Sequence, residues 1–517
     1  MKCVFVSARS CTVLLDEQGD YYAQYPRMLR LNGETLNEEN RSVFSLYGLW
    51  PDTEYTLEAW KGEEKESELT FRTEKELCSL NVKRFGARGD GEKDDTSALQ
   101  AAILSCPPGG RVLIPEGNYK TGPLFLKSHI TVEFKPGAAL YLKTDRNEFP
   151  ILPGMTRTTD EEGEYLLGSW EGNPLDAFAS FITGIGVEDV KLIGPGVLDG
   201  QGDKGDWWVN PKIKRGAYRP RMFYLKDCRD ITVQGITVRN SPAWNLHPTF
   251  SENLSFLNVR VEAPSNSPNT DGFDPESCRQ VRVYGTEFSV GDDCIAIKSG
   301  KIYMGMKYHT PCEDIEIAWC CMLDGHGGVT VGSEMAGGVK NVRVHHCYMR
   351  GNDRGLRIKT RRGRGKYGVI DGIVFDHVRM EGVKTPLVVN ALYFCDPDGK
   401  SDWVQSREPQ PVDGTTPTIG SIRFEHVQAA GCEACVGYIL GLPERPVKEI
   451  LLKDCAFSFD ADAKPMIPAM ASGTEECRRR GLIARFVEKL TLEHVSTEGI
   501  DGQRVDFQNV ESIMDIQ

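Results

Sequence analysis

The sequence predicts an all-β protein in which a small β-sandwich precedes a right-handed parallel β-helix. A short β-branched strand returns about every 23 to 50 residues, as at 190–194, 231–235 and 281–285, which is typical of stacked repeats. Little hairpin-type turn chemistry separates these strands, so a single large β-sandwich is the less favoured alternative. The texture of the chain changes near residue 76. We therefore predict a sandwich over residues 1–76 and a β-helix over 80–517.

The first 76 residues contain short alternating strands separated by Gly and Asn turns, a pattern typical of a small sandwich. Residues 49–57 (LWPDTEYTL) resemble the tyrosine-corner signature of fibronectin type III domains, with Tyr55 at the corner. An ordinary half-buried strand tyrosine is the alternative. Residues 74–76 (EKE) are interpreted as a polar linker.

A helix is predicted before the first coil, because the apolar run 98–104 follows three polar residues. Asp95 or Thr96 is expected to cap it, since a side-chain oxygen satisfies a free N–H group of the first turn. Such a helix would cover the open end of the solenoid. Two long insertions, 144–177 and 396–417, contain aromatic residues and are predicted to form ordered walls at the end of a groove.

Charge and cysteine content limit the partners of this protein. The net charge of −13 and the pI near 5.4 disfavour nucleic acid and require local cations for an acidic substrate. No segment is apolar enough for a secretory signal or a membrane span, so no membrane partner is expected. Sixteen cysteines in such a chain indicate reduced core thiols and a cytoplasmic location. A metal site is the less favoured alternative, because no CxxC pair is present among Cys312, Cys320, Cys321 and Cys347.

Residues 269–359 concentrate the side chains that can carry chemistry. Asp271 and Asp292 are 21 residues apart, close to one coil, so they can stand on adjacent rungs about 4.8 Å apart. Asp292 and Asp293 would face opposite ways in a regular strand. Gly291 is expected to let the backbone bend so that both reach one cleft. His326 and a pair of cations, Arg357 and Lys359, follow from later coils.

Three carboxylates, an imidazole and two cations indicate a hydrolytic site. Glycoside hydrolysis needs a protonated carboxylic acid at the leaving oxygen and, for inversion, a carboxylate that holds a water on the other face of the sugar. Clustered carboxylates repel one another, which raises at least one pKa and keeps an acid protonated. The cations would bind a substrate carboxylate. The alternative is that these aspartates only terminate turns.

Four motifs carry a family resemblance. The motifs NTDG (269–272), GDDC (291–294), GHGG (325–328) and RIK (357–359) are similar, in order and approximate spacing, to those of family 28 glycoside hydrolases, the polygalacturonases. The resemblance extends to residues 85–87, 194–200, 207–208 and 332–335, and covers about residues 80–495.

The resemblance implies a role for each matching residue. Asp292 takes the place of the general acid, while Asp271 and Asp293 take those that activate water in a single inverting displacement. His326 would support the acid. Substrate would be bound by a further set: Asn269, Arg357, Lys359 and, in a later coil, Tyr393. No metal or organic cofactor is implied.

Departures from the common pattern suggest the mode of action. Gly291, where fungal endo-acting members carry Gln, and residues 332–338 resemble bacterial exo-acting members, some of which carry a fibronectin-like module. We therefore expect a cytoplasmic enzyme that hydrolyses α-1,4 links of galacturonate-containing oligosaccharides or polysaccharides from the non-reducing end. Four more residues are candidates for binding the terminal sugar: Arg219, Arg221, Lys298 and His247. The alternatives are that the three cations are ordinary surface residues and that the histidine has a structural role.

Three other functions remain open from the sequence. The first is hydrolysis of another pectin backbone, such as rhamnogalacturonan. The second is a calcium-dependent lyase on the same fold, and the third is a non-catalytic carbohydrate-binding solenoid. The sequence makes no prediction of the oligomeric state or of the length of the released product.

Overall fold

The structure is a computed structural model that describes residues 1–157, 160 and 162–517. Its N-terminal part is a β-sandwich of two antiparallel sheets, with strand orders β1-β2-β5 and β4-β3-β6-β7. The strands are β1 (Lys2–Val6), β2 (Ser10–Leu14), β3 (Tyr22–Leu31), β4 (Glu34–Arg41), β5 (Val43–Tyr47), β6 (Glu54–Lys61) and β7 (Glu64–Arg72). The predicted sandwich is confirmed.

Tyr55 forms the tyrosine corner that the sequence predicts. Its side chain is buried and stacks on Phe71, with ring centroids 5.7 Å apart. The backbone N–H of Trp50 donates a hydrogen bond of 2.9 Å to the Tyr55 hydroxyl. This bond returns to the chain five residues upstream, as a tyrosine corner requires.

The rest of the chain consists mainly of short parallel strands that stack coil upon coil. The first half contains β8 (Ser79–Asn81), β9 (Asp90–Asp94), β10 (Gly110–Ile114), β11 (Gly117–Thr121), β12 (Leu124–Phe125), β13 (Ile130–Phe134), β14 (Ala138–Leu142), β15 (Ile151–Leu152), β16 (Met155–Arg157), β17 (Glu162–Glu164), β18 (Ala177–Phe178), β19 (Ile182–Ile185), β20 (Glu188–Ile193), β21 (Val197–Asp199), β22 (Phe223–Lys226), β23 (Arg229–Gln234) and β24 (Thr237–Arg239). The second half contains β25 (Leu246–Thr249), β26 (Glu252–Leu257), β27 (Arg260–Glu262), β28 (Arg279–Tyr284), β29 (Glu287–Ser289), β30 (Ile295–Ile297), β31 (Cys312–Ala318), β32 (Cys321–Leu323), β33 (Val329–Val331), β34 (Val339–His345), β35 (Tyr348–Arg350), β36 (Arg354–Lys359), β37 (Val369–Asp376), β38 (Arg379–Glu381), β39 (Thr385–Asn390), β40 (Thr418–Ile419), β41 (Ser421–Glu425), β42 (Gln428–Cys432), β43 (Cys435–Leu440), β44 (Val447–Lys453), β45 (Ala456–Phe459), β46 (Arg480–Glu493), β47 (Ser496–Glu498) and β48 (Val505–Ile516). The helices are α1 (Thr96–Ser105), α2 (Ile302–Tyr308) and α3 (Asp402–Gln405), with 3-10 turns at Val82–Phe85 and Arg146–Glu148.

Apart from the antiparallel pairs β15–β18 and β16–β17, these strands form three parallel sheets, so the predicted right-handed parallel β-helix is confirmed. The first sheet runs from β8 and β10 through β28 and β37 to β48, and the second from β9 to β47. The third continues from β12, β19, β22 and β25 through β30, β33, β36, β39 and β43. Alternate side chains of each strand point inward and stack in register. One such buried column consists of Val233, Phe256, Val283, Ile317, Val344, Phe375, Phe424 and Leu452.

Helix α1 covers the open end of the β-helix as predicted, because its buried face, which includes Leu99 and Ile103, joins the main hydrophobic core. Asp95 occupies the N-cap position as predicted, but the predicted capping hydrogen bond from its side chain is absent. The Asp95 carboxylate instead accepts hydrogen bonds from the backbone of Arg88 and Gly89, at 2.7 and 2.8 Å. This carboxylate therefore holds the preceding loop against the helix.

The sandwich and the β-helix are joined by ion pairs at residues 74–76, which the sequence suggests to be a simple polar linker. Glu76 pairs with Arg9 of the sandwich at 2.7 Å and with Arg111 of β10 at 3.1 Å. Glu74 pairs with Lys191 at 2.7 Å. The segment thus holds the two parts together, while the domain limits themselves stay a prediction. In the described residues, no helix has the length and apolarity that a bilayer crossing requires.

Candidate active site

The candidate active site lies at the third sheet, where several of its strands begin. Asp271 stands two residues before Phe273, which bridges β25 and β30. Asp292 and Asp293 precede β30, and His326 precedes β33. Arg357 lies within β36, and its register partner in β33 is Thr330. Stacking of successive coils therefore brings together side chains that are far apart in the sequence.

The backbone does bend at Gly291 and Asp292, but the reason for glycine at position 291 differs from the one predicted. Its conformation is not left-handed. A Cβ atom at this position would lie 2.6 Å from the Ser267 carbonyl oxygen and 2.7 Å from that of Pro264. Glycine is required because the 264–267 turn approaches closely.

Asp293 is an ionised, fully buried carboxylate. Lys359 Nζ lies 2.7 Å from its Oδ2, and Arg357 Nη1 lies 3.1 Å from its Oδ1. Burial acts to raise the pKa of Asp293, but the charges of Lys359 and Arg357 outweigh burial and hold this pKa below its usual range. The two cations are therefore engaged with a carboxylate of the protein, and a sugar carboxylate would have to share them.

Asp271 has the opposite electrostatic character. Burial, together with the neighbouring Asp292 and Asp274 carboxylates, raises the pKa of Asp271 well above its usual range. The surroundings of Asp271 in the free protein therefore favour its protonated form. This agrees with the expected presence of a protonated acid among three carboxylates, but it differs from the water-activating role that the resemblance implies for Asp271.

Asp292 is the most accessible of the three carboxylates, and His326 covers it. Its side chain is 24% exposed, against 6% for Asp271 and 1% for Asp293. His326 Nδ1 lies 3.2 Å from Asp292 Oδ1. This contact raises the pKa of His326. Asp292 is thus the carboxylate best placed to reach a substrate oxygen from the cavity.

Oxygens of Asp271, Asp292 and Asp293 lie within 4.8 Å of one another. One water that donates or accepts two hydrogen bonds spans about 4.5 Å between its partners, so the three can hold a single water. The same oxygens could ligate a hard cation, although Arg357 and Lys359 already neutralise Asp293. The prediction that no metal is needed remains a prediction.

A second charged cluster lies beneath these carboxylates. Lys298 Nζ is 3.2 Å from Glu334, 3.5 Å from Asp274 and 3.8 Å from Asp271. Burial acts to lower the pKa of Lys298, but the charges of Glu334 and the other carboxylates outweigh burial and raise this pKa well above its usual value. Lys298 therefore neutralises protein carboxylates, and direct sugar binding is at most a shared role. The sequence analysis did not single out Asp274, which lies two residues after the NTDG motif, or Glu334, which lies within the quoted segment 332–335.

Asp274 is expected to make stability depend on pH. Burial raises its pKa to about 8, whereas an unfolded chain ionises near 3.9. The folded state thus holds a proton that the unfolded state releases, and this costs stability progressively as pH rises from about 4 to about 8.

Asp274→Asn removes this titration. The free energy of unfolding of the variant should rise relative to that of the wild type as pH increases through this range and level off above it, with a final difference of the order of a few kcal/mol. The thermal midpoint should follow the same course. Differential scanning calorimetry from pH 4.5 to 9 measures it. A constant difference across this range would contradict the expectation.

A cavity of about 800 Å³ opens over the carboxylates, within the size range of binding sites for small ligands. The predicted residues that line it are Asn269, Asp271, Asp292, Asp293, Lys298, His326, Arg357, Lys359 and Tyr393. The Tyr393 ring lies 5.5 Å from Lys359 Nζ and 5.8 Å from the Arg357 guanidinium. The two predicted walls contribute Trp170 and Asp396 among others.

Three predicted substrate contacts lie behind the wall of the cavity. Arg219 is buried and donates to Asn269 Oδ1 at 2.7 Å, so it positions that residue. Arg221 is buried against Trp170 and donates to the Ser169 carbonyl oxygen at 2.6 Å. His247 is fully buried and 2.9 Å from Glu276.

Direct binding by Arg219, Arg221 and His247 is therefore corrected to a supporting role. Burial lowers the pKa of His247 to about 4, so it is neutral near pH 7. The charged Arg219 and Arg221 lie against the Trp170 ring, and the neutral His247 ring packs edge-on against Trp244, so these side chains support the stacked Trp170, Tyr218 and Trp244 rings from behind.

Comparison with known proteins identifies relatives over most of the chain. The family model "Glycosyl hydrolases family 28" matches residues 111–456, and the model "Rhamnogalacturonase A/epimerase, pectate lyase-like" matches residues 79–132. A probable polygalacturonase of Vitis vinifera is 28% identical over 447 residues, which are 83% of this chain and 86% of the relative.

Two solved structures are similar in fold. A hyperthermoactive exopolygalacturonase from Thermotoga maritima is 26% identical, with a TM-score of 0.66, and the match covers 81% of this chain and 92% of that one. The family 28 exopolygalacturonase of Yersinia enterocolitica has a TM-score of 0.71 at 18% identity. This match covers 99% of this chain and 97% of the Yersinia chain, so it includes the N-terminal sandwich.

Proposed function

This chain belongs to family 28 of the glycosyl hydrolases, and on that premise we propose that it hydrolyses α-1,4-galacturonosidic bonds of pectic oligosaccharides from the non-reducing end. Membership of the family makes the protein a glycoside hydrolase. The probable polygalacturonase among its relatives supports the choice of substrate. The exopolygalacturonase from Thermotoga maritima supports cleavage at the end of the sugar chain.

The observation that carries the exo mode is a bridge across one end of the cavity. Lys301 Nζ lies 2.8 Å from Asp396 of one insertion and 3.7 Å from Glu171 of the other. Its backbone N–H donates to the Gly172 carbonyl oxygen at 2.9 Å. The two insertions are thus tied together beside the carboxylates. A chain lying through an open groove would need this end to be free.

The mechanism follows from the charges of the site. Asp293, held ionised by Lys359 and Arg357, accepts a proton from the water that attacks the anomeric carbon. Asp292, next to His326, delivers a proton to the glycosidic oxygen of the leaving sugar. Asp271, whose protonated form is favoured by burial and by the neighbouring carboxylates, donates a hydrogen bond to the shared water or to the substrate when it carries that proton.

Inversion is proposed on the family resemblance and needs its own measurement. Inverting enzymes commonly separate their two carboxyl groups by about 6.5–9.5 Å, and retaining enzymes by about 5–5.5 Å. The nearest oxygens of the three aspartates here lie within 4.8 Å. This spacing holds one water between carboxylates but does not by itself select inversion.

The other functions are not favoured. The rhamnogalacturonase-like match covers residues 79–132, which contain none of the proposed catalytic residues. A calcium-dependent lyase would have to displace Lys359 and Arg357 from Asp293. A non-catalytic binding protein would not need neighbouring buried aspartates whose pKa values are shifted in opposite directions, which is typical of sites that transfer protons.

A product time course on galacturonate trimer and tetramer tests the proposal. We expect monomer as the first product from the tetramer, together with the trimer, and the axial-to-equatorial change at the new anomeric centre by proton NMR. A substrate reduced at its reducing end should still be cleaved. One whose non-reducing end is a 4,5-unsaturated sugar should resist.

The outcomes separate the two parts of the proposal. Random release of intermediate sizes, or cleavage of the substrate with the unsaturated end, would reject the exo mode and keep the hydrolase. An ultraviolet-absorbing product would reject hydrolysis. Asp292→Asn serves as the inactive control for contaminating activity.

A reducing compartment is proposed as the place of action. All sixteen cysteines are free thiols, and most of them are buried in the β-helix. Fractionation of the source cells, with the protein followed by antibody, tests this: recovery outside the cytoplasm would reject it.

A further inference from the structure

A column of imidazoles runs along one edge of the β-helix, away from the cavity. In five successive coils, one residue occupies the bend between the first and second sheets. These residues are, in order, His346, His377, His426, Asp454 and His494. All five residues have left-handed backbone conformations, with φ between 50° and 52°. Equivalent positions in stacked coils lie about 4.8 Å apart, so the side chains are held face to face.

The rings stack closely at the centre of this column. The ring centroids of His346 and His377 are 5.0 Å apart with an interplanar angle of 1°, and those of His377 and His426 are 4.3 Å apart at 26°. The side chains of His377 and His426 are nearly half exposed. Solvent therefore reaches this pair directly.

A single carboxylate oxygen contacts both histidines of the central pair, His377 and His426. Asp376 Oδ1 lies 2.6 Å from His377 Nδ1 and 3.0 Å from His426 Nδ1. The other oxygen, Oδ2, is 3.3 Å from Arg343. Two imidazole nitrogens and one carboxylate oxygen thus converge from two adjacent coils, and donor atoms of the three residues all lie within 4.8 Å.

We propose that Asp376, His377 and His426 form a binding site for a divalent transition-metal ion, Zn²⁺ in particular, that clamps two successive coils of the β-helix. Two imidazoles and a carboxylate are a donor set that suits Zn²⁺, with water as the fourth ligand. Zinc bonds of 2.0–2.1 Å place tetrahedral ligands about 3.3 Å apart. The donors need to open by about half an ångström to admit the ion, which exposed side chains can do.

The surroundings of His426 support this assignment. Its second ring nitrogen, Nε2, faces Asp454 Oδ2 at 3.7 Å, and Asp454 Oδ1 lies 3.0 Å from His494 Nδ1. A carboxylate behind the free nitrogen of a metal-binding histidine orients the ring and increases its basicity. Asp454 is in position to do this once His426 binds through Nδ1.

The site is separate from the proposed catalytic residues. None of Asp376, His377 and His426 lines the cavity over Asp292. The ion would link the coil that contains β37 to the coil that contains β41, and binding to the folded state alone raises stability by mass action. Its effect is therefore structural and does not depend on the proposed function.

Isothermal titration of the metal-free full chain with ZnCl₂ at pH 7.5 tests the proposal. We expect the double variant His377→Ala/His426→Ala to lose one equivalent of bound Zn²⁺ relative to the wild type. Asp376→Asn should weaken this binding at least about ten-fold, since even outer partners of metal ligands contribute that much. Asp454→Asn should weaken it less than Asp376→Asn does.

His129→Ala is the matched control. His129 is also nearly half exposed, left-handed and paired with carboxylates, at 3.4 Å from Asp189 and 3.5 Å from Glu188, but among the residues that the structure describes no second imidazole stacks on it. This variant should bind Zn²⁺ as the wild type does. Addition of Zn²⁺ should raise the unfolding midpoint of the wild type and of His129→Ala, but not that of the double variant.

Two results would overturn the assignment. The first is an unchanged Zn²⁺ stoichiometry in the double variant, which would place the ion elsewhere, for example at the three aspartates of the cavity. The second is no binding by the wild type, which would leave a hydrogen-bonded imidazole column only. If the double variant does not fold, Asp376→Asn with Co²⁺ decides: the visible absorption of a tetrahedral N/O site should appear in the wild type and be lost in this variant.

Discussion

Asp292→Asn is expected to lower kcat by about 10²–10⁴-fold, the usual contribution of a positioned general acid, with little change in KM or in the unfolding midpoint. The amide keeps the size of the side chain, and the hydrogen bond that Asp292 Oδ1 accepts from the Asp293 N–H at 3.0 Å can persist. The change therefore removes the proton and leaves the geometry. Hydrolysis of galacturonate trimer, followed by reducing-sugar release, measures it.

A substrate with a better leaving group separates acid catalysis from damage to the site. An activated aryl glycoside needs less protonation of its leaving oxygen, so Asp292→Asn should recover most of its rate on that substrate. Unchanged activity on the trimer would reject Asp292 as the acid. Equal loss on both substrates would instead indicate a role in binding or in holding water.

Lys359→Ala is expected to lower kcat/KM by about 10²–10³-fold, as removal of one preorganised electrostatic partner does, and to shift the acidic limb of the pH–rate profile. Burial alone raises the pKa of Asp293, and Lys359 and Arg357 are what lower it. Without Lys359 this pKa rises. Asp293 then loses its charge at a higher pH, so the acidic limb moves upward.

Lys359→Arg is the matched control, because it keeps a positive charge near Asp293. Its acidic limb should stay close to that of the wild type even if kcat/KM falls. Measurement of kcat/KM from pH 3 to 8 for both variants tests the argument. An unmoved limb in Lys359→Ala would mean that Asp293 does not act as the ionised base, and the role would pass to Asp271 or Asp292.

Short local motifs explain why the sequence analysis found most of the charged residues that line the cavity. Asp271, Asp292 and Asp293 lie in short motifs with glycine neighbours, and one coil separates the first from the second. Arg357 and Lys359 lie on one strand face because their spacing is two. Such patterns survive in the sequence whatever the loops do. The tyrosine corner at Tyr55 is predictable for the same reason, since its partner is five residues away.

Residues that depend on distant contacts were not predictable in this way. Arg221 and His247 have the chemistry of substrate ligands, and only the packing of Trp170 and Trp244 places them behind the wall. Asp274 is one more aspartate in the sequence. Its raised pKa arises from complete burial, which outweighs the opposing charge of Lys298 from the next coil.

The amino-acid sequence by itself determined the β-helix and the sandwich before it, and it indicated the aspartates and cations that line the cavity, because strand periodicity and turn motifs are local properties. Tertiary structure alone decided which carboxylate is paired with cations, which residue ties the two insertions together and which histidines converge. Those properties depend on burial and on distances between coils: Lys359 beside Asp293, Lys301 between two insertions, and Asp376 between two imidazoles. The charge of a side chain and the groups that it meets depend on residues that are close in space, and the stacking of coils brings those residues together.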